Sequence, residues 1–323
     1  MSETIKLKKG FDINLAGKAN TKIANLPLAE TFAIKPTDFV GIVQTKLNVK
    51  EGDIVKAGSP LMHDKAFEEI IYASPVSGEV AEIVRGAKRK ILEIRILADK
   101  EISYESFNKY SESELASVSK EDVLVQMTKS GVWPNIIQRP FGIVADPAVA
   151  PKAIFISTFD THPLAPEMGF ILEGQDKYFQ AGVDVLSKFG KVHVNVNGNG
   201  ENAAMFSKAK NAQVNSVSGP HPAGNVGVQI HHIAPMNKGE VAWTVHPFGV
   251  AQIGKVFLEG KYDASKLIAF VGSEVKEPQY YRTFTGAAIN KIVDGSVSDG
   301  HIRFISGNVL TGEHINSTSY LGF

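Results

Sequence analysis

The sequence predicts an α/β multidomain protein with a compact β-sandwich, a Rossmann-like α/β unit and a small β-grasp unit. Three observations predict it. Short β-branched runs broken by Gly, Ser and Pro crowd residues 46–96. Continuous apolar strands alternate with amphipathic helical stretches from residue 151. A strand, strand, helix, strand order follows from about residue 267. The chain of 323 residues is long enough for two or three domains with real cores. The patterns divide it at 1–100, 101–150, 151–260 and 261–323, with 101–150 as a helical connector.

Residues 1–34 are expected to add an edge strand and an irregular lead. "VKEGDIVKAGSPLM" reads as two strands around turns at Gly52-Asp53 and Gly58-Ser59-Pro60. "ASPVSGEVAEIV" and "KILEIRIL" continue the sandwich. Within it, "MHDKAFEEIIYASPVSGEV" (Met62–Val80) holds an Asp-Lys-Ala and a Ser-Pro-Val-Ser-Gly turn. That combination is similar to lipoyl and biotinyl carrier domains, whose cofactor lysine sits at a hairpin tip. Leu61 and Pro75 are re-spaced about Lys65 relative to those carriers, so Lys65 is read as a solvated residue on a reused scaffold.

In the connector, Ser119 stands three residues before Asp122, a capping-box-like helix start. Val123, Met127 and Ser130 then share one face, and Gly131 ends the helix. "PKAIFISTF" is a buried strand. "GQDKYFQAGVDVLSKFG" is an amphipathic helix with Tyr178, Val185, Leu186 and Phe189 inward. "KVHVNVN" and "AQVNSV" are strands flanking a short helix in "GENAAMFSKAK". This order predicts right-handed crossovers. "LIAFVG" and "QYYRTFTG" pair as strands, "GAAINKIVDG" is a helix ending at Gly295, and "HIRFISG" is a further strand.

Composition excludes several chemistries. Lys+Arg and Asp+Glu number 34 each, which argues against a nucleic-acid partner. No cysteine is present, which rules out disulfides, thiolate catalysis, thiolate zinc sites and cysteine-held iron–sulfur clusters. "MSETIKLKKG" has no apolar signal region, and no run of 18 apolar residues occurs. Contact with a membrane is therefore expected to be indirect.

The remaining motifs are weak alone. Gly198-Asn199-Gly200-Glu201-Asn202-Ala203 has the G-x-G-x-x-A spacing, but it follows the second strand and lacks the acid expected about 20 residues on. A plain Asn-Gly turn explains it better. The histidines fall in "DTHP", "GPHPAG", "IHH" and "VHPF". If His231 and His232 lie on a strand, they face opposite sides and cannot share a metal. "GPHPAGNVG" is a rigid loop that either shapes a pocket or packs on strand ends. "RGAKRK" (Arg85–Lys90) is a solvated turn or a contact for an anionic partner. No paired carboxylates, G-x-S-x-G elbow or P-loop occur.

Seven separated segments together resemble one family. They are "IKLKKGFDINLAGKA", "ASPVSGEVAEIVRGAKR", "SGVWPNIIQRPFG", "IFISTFDTHPLAPE", "GPHPAGNVG", "RTFTGAAINKIVDG" and "ISGNVLTG". In this order they look like the A subunit of the sodium-translocating NADH:quinone reductase, along essentially the whole chain. The resemblance implies a biotinyl/lipoyl-like barrel-sandwich hybrid, a Rossmann-like domain and a β-grasp (SLBB-like) domain. The family's chains run on past "TSYLGF", so a truncated C-terminal region is expected. It implies a peripheral subunit on the cytoplasmic side of a bacterial inner membrane, in a complex that oxidises NADH, reduces ubiquinone and exports Na⁺. Other subunits, chiefly membrane ones, are the implied partners. Kinship with the flavin-binding subunit of respiratory complex I and with the Rnf complex is implied too.

Those relatives cradle flavin and NADH phosphates with a glycine-rich loop. The comparable stretch, Ser130–Phe141, keeps one glycine and carries two prolines and bulky side chains. No tightly bound flavin, NADH site, iron–sulfur cluster or metal is therefore expected, and the isolated chain is not expected to be catalytic. Regions resembling those tied to quinone in the family are "KPTDFVGI" (Lys35–Ile42) and "IIQRPFGI" (Ile136–Ile143). The expected ubiquinone contacts are Phe39, Val40, Ile136, Arg139, Pro140 and Phe141, with Arg139 donating to a carbonyl oxygen. The alternative is that Arg139 and Phe141 seal an interface between domains. The competing functions are an assembly subunit with no ligand and an NAD(P)-dependent oxidoreductase using Gly198–Ala203.

Overall fold

The first two strands lie in sheets completed by residues far downstream. The computed structural model describes residues 2–200 and 202–323. Strand β1 (Thr4–Lys6) runs parallel to a strand ending at Ser218, with Ile5 opposite Val217. β2 (Ile23–Ala24) runs parallel to a strand containing Tyr280 and Tyr281. The lead thus supplies edge strands to the α/β sheet and to the C-terminal sheet, and its last four residues, Thr31–Ile34, form an edge strand of the sandwich that follows.

The sandwich comprises β3 (Thr31–Ile34), β4 (Thr45–Leu47), β5 (Ile54–Val55), β6 (Pro60–Asp64), β7 (Phe67–Ala73), β8 (Gly78–Arg85) and β9 (Ile91–Ala98). They form a four-stranded sheet, β3-β9-β8-β5, and a three-stranded sheet, β4-β6-β7, all antiparallel. Alternation drives the packing: Ile91, Ile94 and Ile96 of β9 are buried while Leu92 and Leu97 are exposed. Leu61, Met62, Ile70 and Val80 join them in the core.

After α1 (Glu112–Leu115) comes α2 (Lys120–Lys129). Ser119 caps α2 as expected, its Oγ accepting from the Asp122 N–H at 3.0 Å. Val123, Met127 and Ser130 are buried. Gly131 ends the helix at φ +80°, and a Cβ there would stand 2.4 Å from the Ala73 Cβ. The stop therefore also brings the helix end against the sandwich.

The α/β unit contains β10 (Ile136–Arg139), β11 (Ile143–Val144), β12 (Ile154–Ser157), α3 (Met168–Ile171), α4 (Asp176–Ser187), β13 (Val192–Asn197), α5 (Ala204–Ser207), β14 (Gln213–Ser218), α6 (Val226–Ile233), β15 (Ala242–Val245) and α7 (Pro247–Glu259). The sheet order is β1-β14-β13-β12-β15-β10-β11. The first five strands are parallel, and β10 and β11 add an antiparallel edge. Sequence patterns assigned 101–150 to a helical connector, yet residues 136–144 supply these two edge strands. Trp133 and Trp243 meet edge-to-face at 5.5 Å in the core, with Phe189 against both.

Three local expectations change. α4 buries Phe179, Val183, Val185 and Leu186, whereas Tyr178 is half-buried with its hydroxyl on the Glu259 carboxylate. The helix expected in "GENAAMFSKAK" is only the four residues of α5. His231 and His232 lie in the last turn of helix α6, not on a strand.

At the C-terminal end, β16 (Ser265–Phe270) and β17 (Gln279–Phe284) pair antiparallel as expected, and β2 completes their sheet. α8 (Asn290–Val293) stops just before Gly295. β18 (Phe304–Ser306) pairs with β19 (Glu313–Ile315) and stays outside the three-stranded sheet.

Candidate functional site

The two segments singled out for quinone contact meet. The Val144 N–H donates to the Val40 carbonyl at 2.9 Å, and a Cβ on Gly41 would stand 2.8 Å from the Ile143 Cβ. Their side chains nevertheless divide into two groups. Phe39 is 5% exposed and packs on Tyr72 and Phe323 at 4.5 and 4.7 Å. Ile136 is fully buried. Both are core residues, so neither reaches a ligand without unpacking. Val40, Arg139, Pro140 and Phe141 gather instead around the β10–β11 turn. Val40 is 55% and Phe141 81% exposed, and Pro140 is exposed behind a cis peptide bond. Phe141 therefore does not seal an interface within this chain. Val43, which sequence reasoning missed, is 86% exposed on the strip after Val40.

Arg139 is half-buried, and its Nε is buried without a hydrogen-bond partner among the described residues. No carboxylate lies within ion-pair distance of it among those residues. Burial pulls its pKa below the ordinary value, with no acid opposing. A desolvated guanidinium left in this state gains strongly from an incoming oxygen acceptor. The Gly142 N–H closes the turn on the Gln138 carbonyl at 2.9 Å and keeps β10 and β11 in hairpin register.

The stretch before β10 is built into the core. Val132 and Trp133 are fully buried, and the Trp133 Nε1–H donates to the Ala145 carbonyl at 2.8 Å. Gly131 is spent on packing against Ala73. The Gly198 turn is stitched by its own side chains: the Asn197 N–H donates to Asn202 Oδ1 at 2.9 Å, and the Asn199 N–H to Asn197 Oδ1 at 2.9 Å. Glu201 of that motif lies outside the described residues. With four residues, α5 offers a nucleotide little of a helix end.

Lys65 and Ala66 form the two-residue turn between β6 and β7, and Lys65 is exposed at the tip. The re-spacing of Leu61 and Pro75 does not displace it. Buried Asp64 holds the hairpin by accepting N–H bonds from Val43 and Gln44 at 3.0 Å each. "RGAKRK" is the exposed turn between β8 and β9, with Lys88 and Arg89 at φ +54° and +59°.

Three of the histidine motifs do converge, which sequence reasoning missed. His162 and His221 have ring centroids 4.8 Å apart, and the Asp160 carboxylate holds the His162 Nδ1. His246 directly follows β15, the parallel neighbour of β12, so it opens on the same rim as Asp160. No cluster of three or more His, Asp or Glu able to hold a metal exists among the described residues. A broad concavity of about 560 Å³ opens at the opposite rim of the sheet, between Gly190–Val192 and Asn211–Gln213, and contains none of the predicted residues. Among the described residues no helix is long and apolar enough to cross a membrane.

Comparison with known proteins matches residues 5–99 to the NqrA N-terminal barrel-sandwich hybrid domain, 118–262 to the NqrA second alpha/beta domain and 267–317 to the NQRA C-terminal domain. The A subunit of the Na(+)-translocating NADH-quinone reductase of Marinomonas sp. (strain MWYL1) is 36% identical over 322 residues, covering 98% of this chain and 71% of that one. Its counterpart from Vibrio vulnificus (strain YJ016) is 34% identical over 321 residues, with the same coverages of 98% and 71%. Among solved structures, the air-oxidised NAD⁺-reducing [NiFe]-hydrogenase covers 69% of this chain and 50% of its own, at 10% identity and TM-score 0.43. That likeness is too loose to bear on fold or site.

Proposed function

The chain belongs to the NqrA family, the A subunits of Na(+)-translocating NADH-quinone reductases, and from that premise we propose a quinone-proximal role for its β10–β11 turn. In this reading the chain is a peripheral subunit on the cytoplasmic side of a bacterial membrane complex that couples ubiquinone reduction by NADH to Na⁺ export. Arg139 donates to a quinone carbonyl oxygen. Val40, Phe141 and Val43 offer apolar contact beside it. Phe39 and Ile136 act behind them by holding the hairpin in place. The observation that carries the proposal is the half-buried Arg139 guanidinium, with no carboxylate within ion-pair distance among the described residues, next to an exposed phenylalanine.

We also propose that this chain holds no flavin, NADH or iron–sulfur cluster of its own, and that the isolated chain is not catalytic. What supports this is that the one glycine of the Ser130–Phe141 stretch faces Ala73, while Val132 and Trp133 are in the core. Kinship with the flavin subunit of complex I and with the Rnf complex belongs to the same proposal.

Titration of the purified chain with a short-chain ubiquinone and with NADH tests the reading. Saturable quinone binding without NADH binding is expected. Arg139→Ala combined with Phe141→Ala is expected to weaken quinone binding at least tenfold, on the order of one lost charged hydrogen bond. The thermal midpoint should barely move, because Phe141 is 81% exposed. Unchanged affinity in the double variant rejects the site. The exposure of Val43 and Phe141 at 86% and 81% favours one other reading, a docking patch for another subunit of the complex. In that case the purified chain binds no quinone, and the same double variant fails to assemble.

A further inference from the structure

Residues 11–16, "FDINLA", carry the pattern of a half-buried strand but have no neighbouring strand. Phe11, Ile13 and Leu15 alternate with Asp12 and Asn14, the period of a strand with one covered face. Nothing in the chain covers that face. Phe11 is 83% exposed, Ile13 and Leu15 are 46% exposed, and none of the three joins a core cluster. The backbone N–H and C=O groups of residues 12–16 make no hydrogen bond within the chain among the described residues.

Both ends of this arch are fixed. The Phe11 N–H donates to the His221 carbonyl at 2.9 Å, and Asp12 Oδ1 accepts the His221 N–H at 3.1 Å. A Cβ on Gly10 would stand 2.1 Å from the His221 carbonyl oxygen, and one on Gly17 would stand 2.0 Å from that of Gly272. The arch therefore runs from the loop after β14 to the loop after β16, and close packing at both ends holds it open. A segment held in this way has little ordering left to lose on binding.

The flanks are basic. Lys6, Lys8 and Lys9 precede the arch, are exposed, and have no carboxylate within ion-pair distance among the described residues. Lys18 follows it, paired with Glu167 at 3.0 Å. Of the acids nearest in sequence, Glu3 stands before β1 and Asp12 is engaged by His221. Two occupants are disfavoured. In a bilayer the apolar side chains would carry unpaired peptide groups toward hydrocarbon, where each is costly. A second copy of the chain, paired arch to arch in either direction, would set lysines against lysines.

We propose that the arch receives an extended segment of another subunit of the complex as an added strand, with apolar side chains over Phe11, Ile13 and Leu15 and a carboxylate beside Lys8 and Lys9. The added backbone satisfies the free peptide groups, and its side chains cover the apolar face. This surface is independent of the quinone reading. The arch starts at the carboxyl end of β14, whereas Arg139 lies opposite Ala242 at the amino end of β15, on the other rim of the same sheet.

Amide hydrogen exchange of residues 12–16, compared between the isolated chain and the purified complex, tests the proposal. Exchange is expected to be as fast as in an unstructured peptide in the isolated chain, and roughly tenfold slower or more in the complex. Phe11→Ser with Ile13→Ser and Leu15→Ser removes the apolar face, and Lys8→Glu with Lys9→Glu reverses the charge. Each combination is expected to lower the recovery of this chain with the complex, through an affinity tag on another subunit, roughly fivefold or more. Every altered position is exposed, so the thermal midpoint of the isolated chain should hold, and so should any affinity for ubiquinone. Equal exchange in the isolated chain and the complex, or full recovery of both variants, overturns the proposal. So does slowed exchange in the isolated chain that appears on adding phosphatidylglycerol vesicles, or that grows with its own concentration, since these outcomes assign the arch to a lipid surface or to a second copy.

Discussion

His193 is 2% exposed within β13, stacked on the Phe155 ring at 4.9 Å. Asn215 donates to its Nδ1 at 3.2 Å, and the chain of amides continues from Asn215 to Asn195 and from Asn195 to Gln229 at 2.8 Å each. Desolvation, with Lys191 adding to it, drops its pKa to about 4 from the ordinary 6.5. The unfolded chain therefore binds this proton first as pH falls. The stability from neutral His193 is complete above pH 6.5 and is lost on descending towards 4. Unfolding midpoints measured from pH 7.5 to 5 should fall, and His193→Gln should show a shallower slope. Trp133→Ala should cost about 3–5 kcal/mol in urea unfolding, because a fully buried indole and its bond to Ala145 disappear together. At this scale the sequence was least legible. Phe39, Ile136 and Phe141 look alike as apolar letters, but burial separates them, and burial depends on strands far away. The three histidines were visible as motifs, yet only parallel pairing of strands distant in sequence brings them to one rim.

Helices α4 and α7 cross with almost no gap. A Cβ on Gly182 would lie 1.9 Å from the Val250 carbonyl oxygen, and one on Gly254 would lie 1.8 Å from that of Tyr178. Helix-interior glycine costs roughly 1 kcal/mol against alanine, so close approach must outweigh it. Gly182→Ala or Gly254→Ala should thus destabilise by about 1–3 kcal/mol or more despite the gain in propensity, read as a lowered urea midpoint. Ser119→Ala should cost about 1 kcal/mol through loss of the α2 cap. Elements with strong local signals were readable: the α2 cap, the Gly131 stop, the apolar strand at β12 and the β16–β17 pair. Those with weak ones were not. β10 hides behind Trp-Pro and Arg-Pro, and α5 is too short for a period to register.

Across the whole molecule, the three-part architecture was legible because each part has its own periodicity. The course of residues 4–34 was not, since single short strands carry no record of their partners. That segment visits all three parts in turn: β1 on the α/β sheet, Phe11 bonded to the His221 carbonyl, β2 on the C-terminal sheet and β3 in the sandwich. Gly17 makes one crossing possible. It sits at φ +90°, its carbonyl accepts from the Gly272 N–H at 3.0 Å, and a Cβ would fall 2.0 Å from the Gly272 carbonyl oxygen. Gly17→Ala should detach the lead from the C-terminal part and speed amide hydrogen exchange along β2 and β17, leaving the β8–β9 amides protected.

The same lacing has a consequence for biogenesis. Emerging from the ribosome, Thr4–Lys6 has no neighbour until Ser218 has been translated, and Ile23–Ala24 must wait for Tyr281. The nascent chain therefore completes its sandwich early and holds its earliest-made strands unpaired, leaving their closure to a late, post-synthetic docking step.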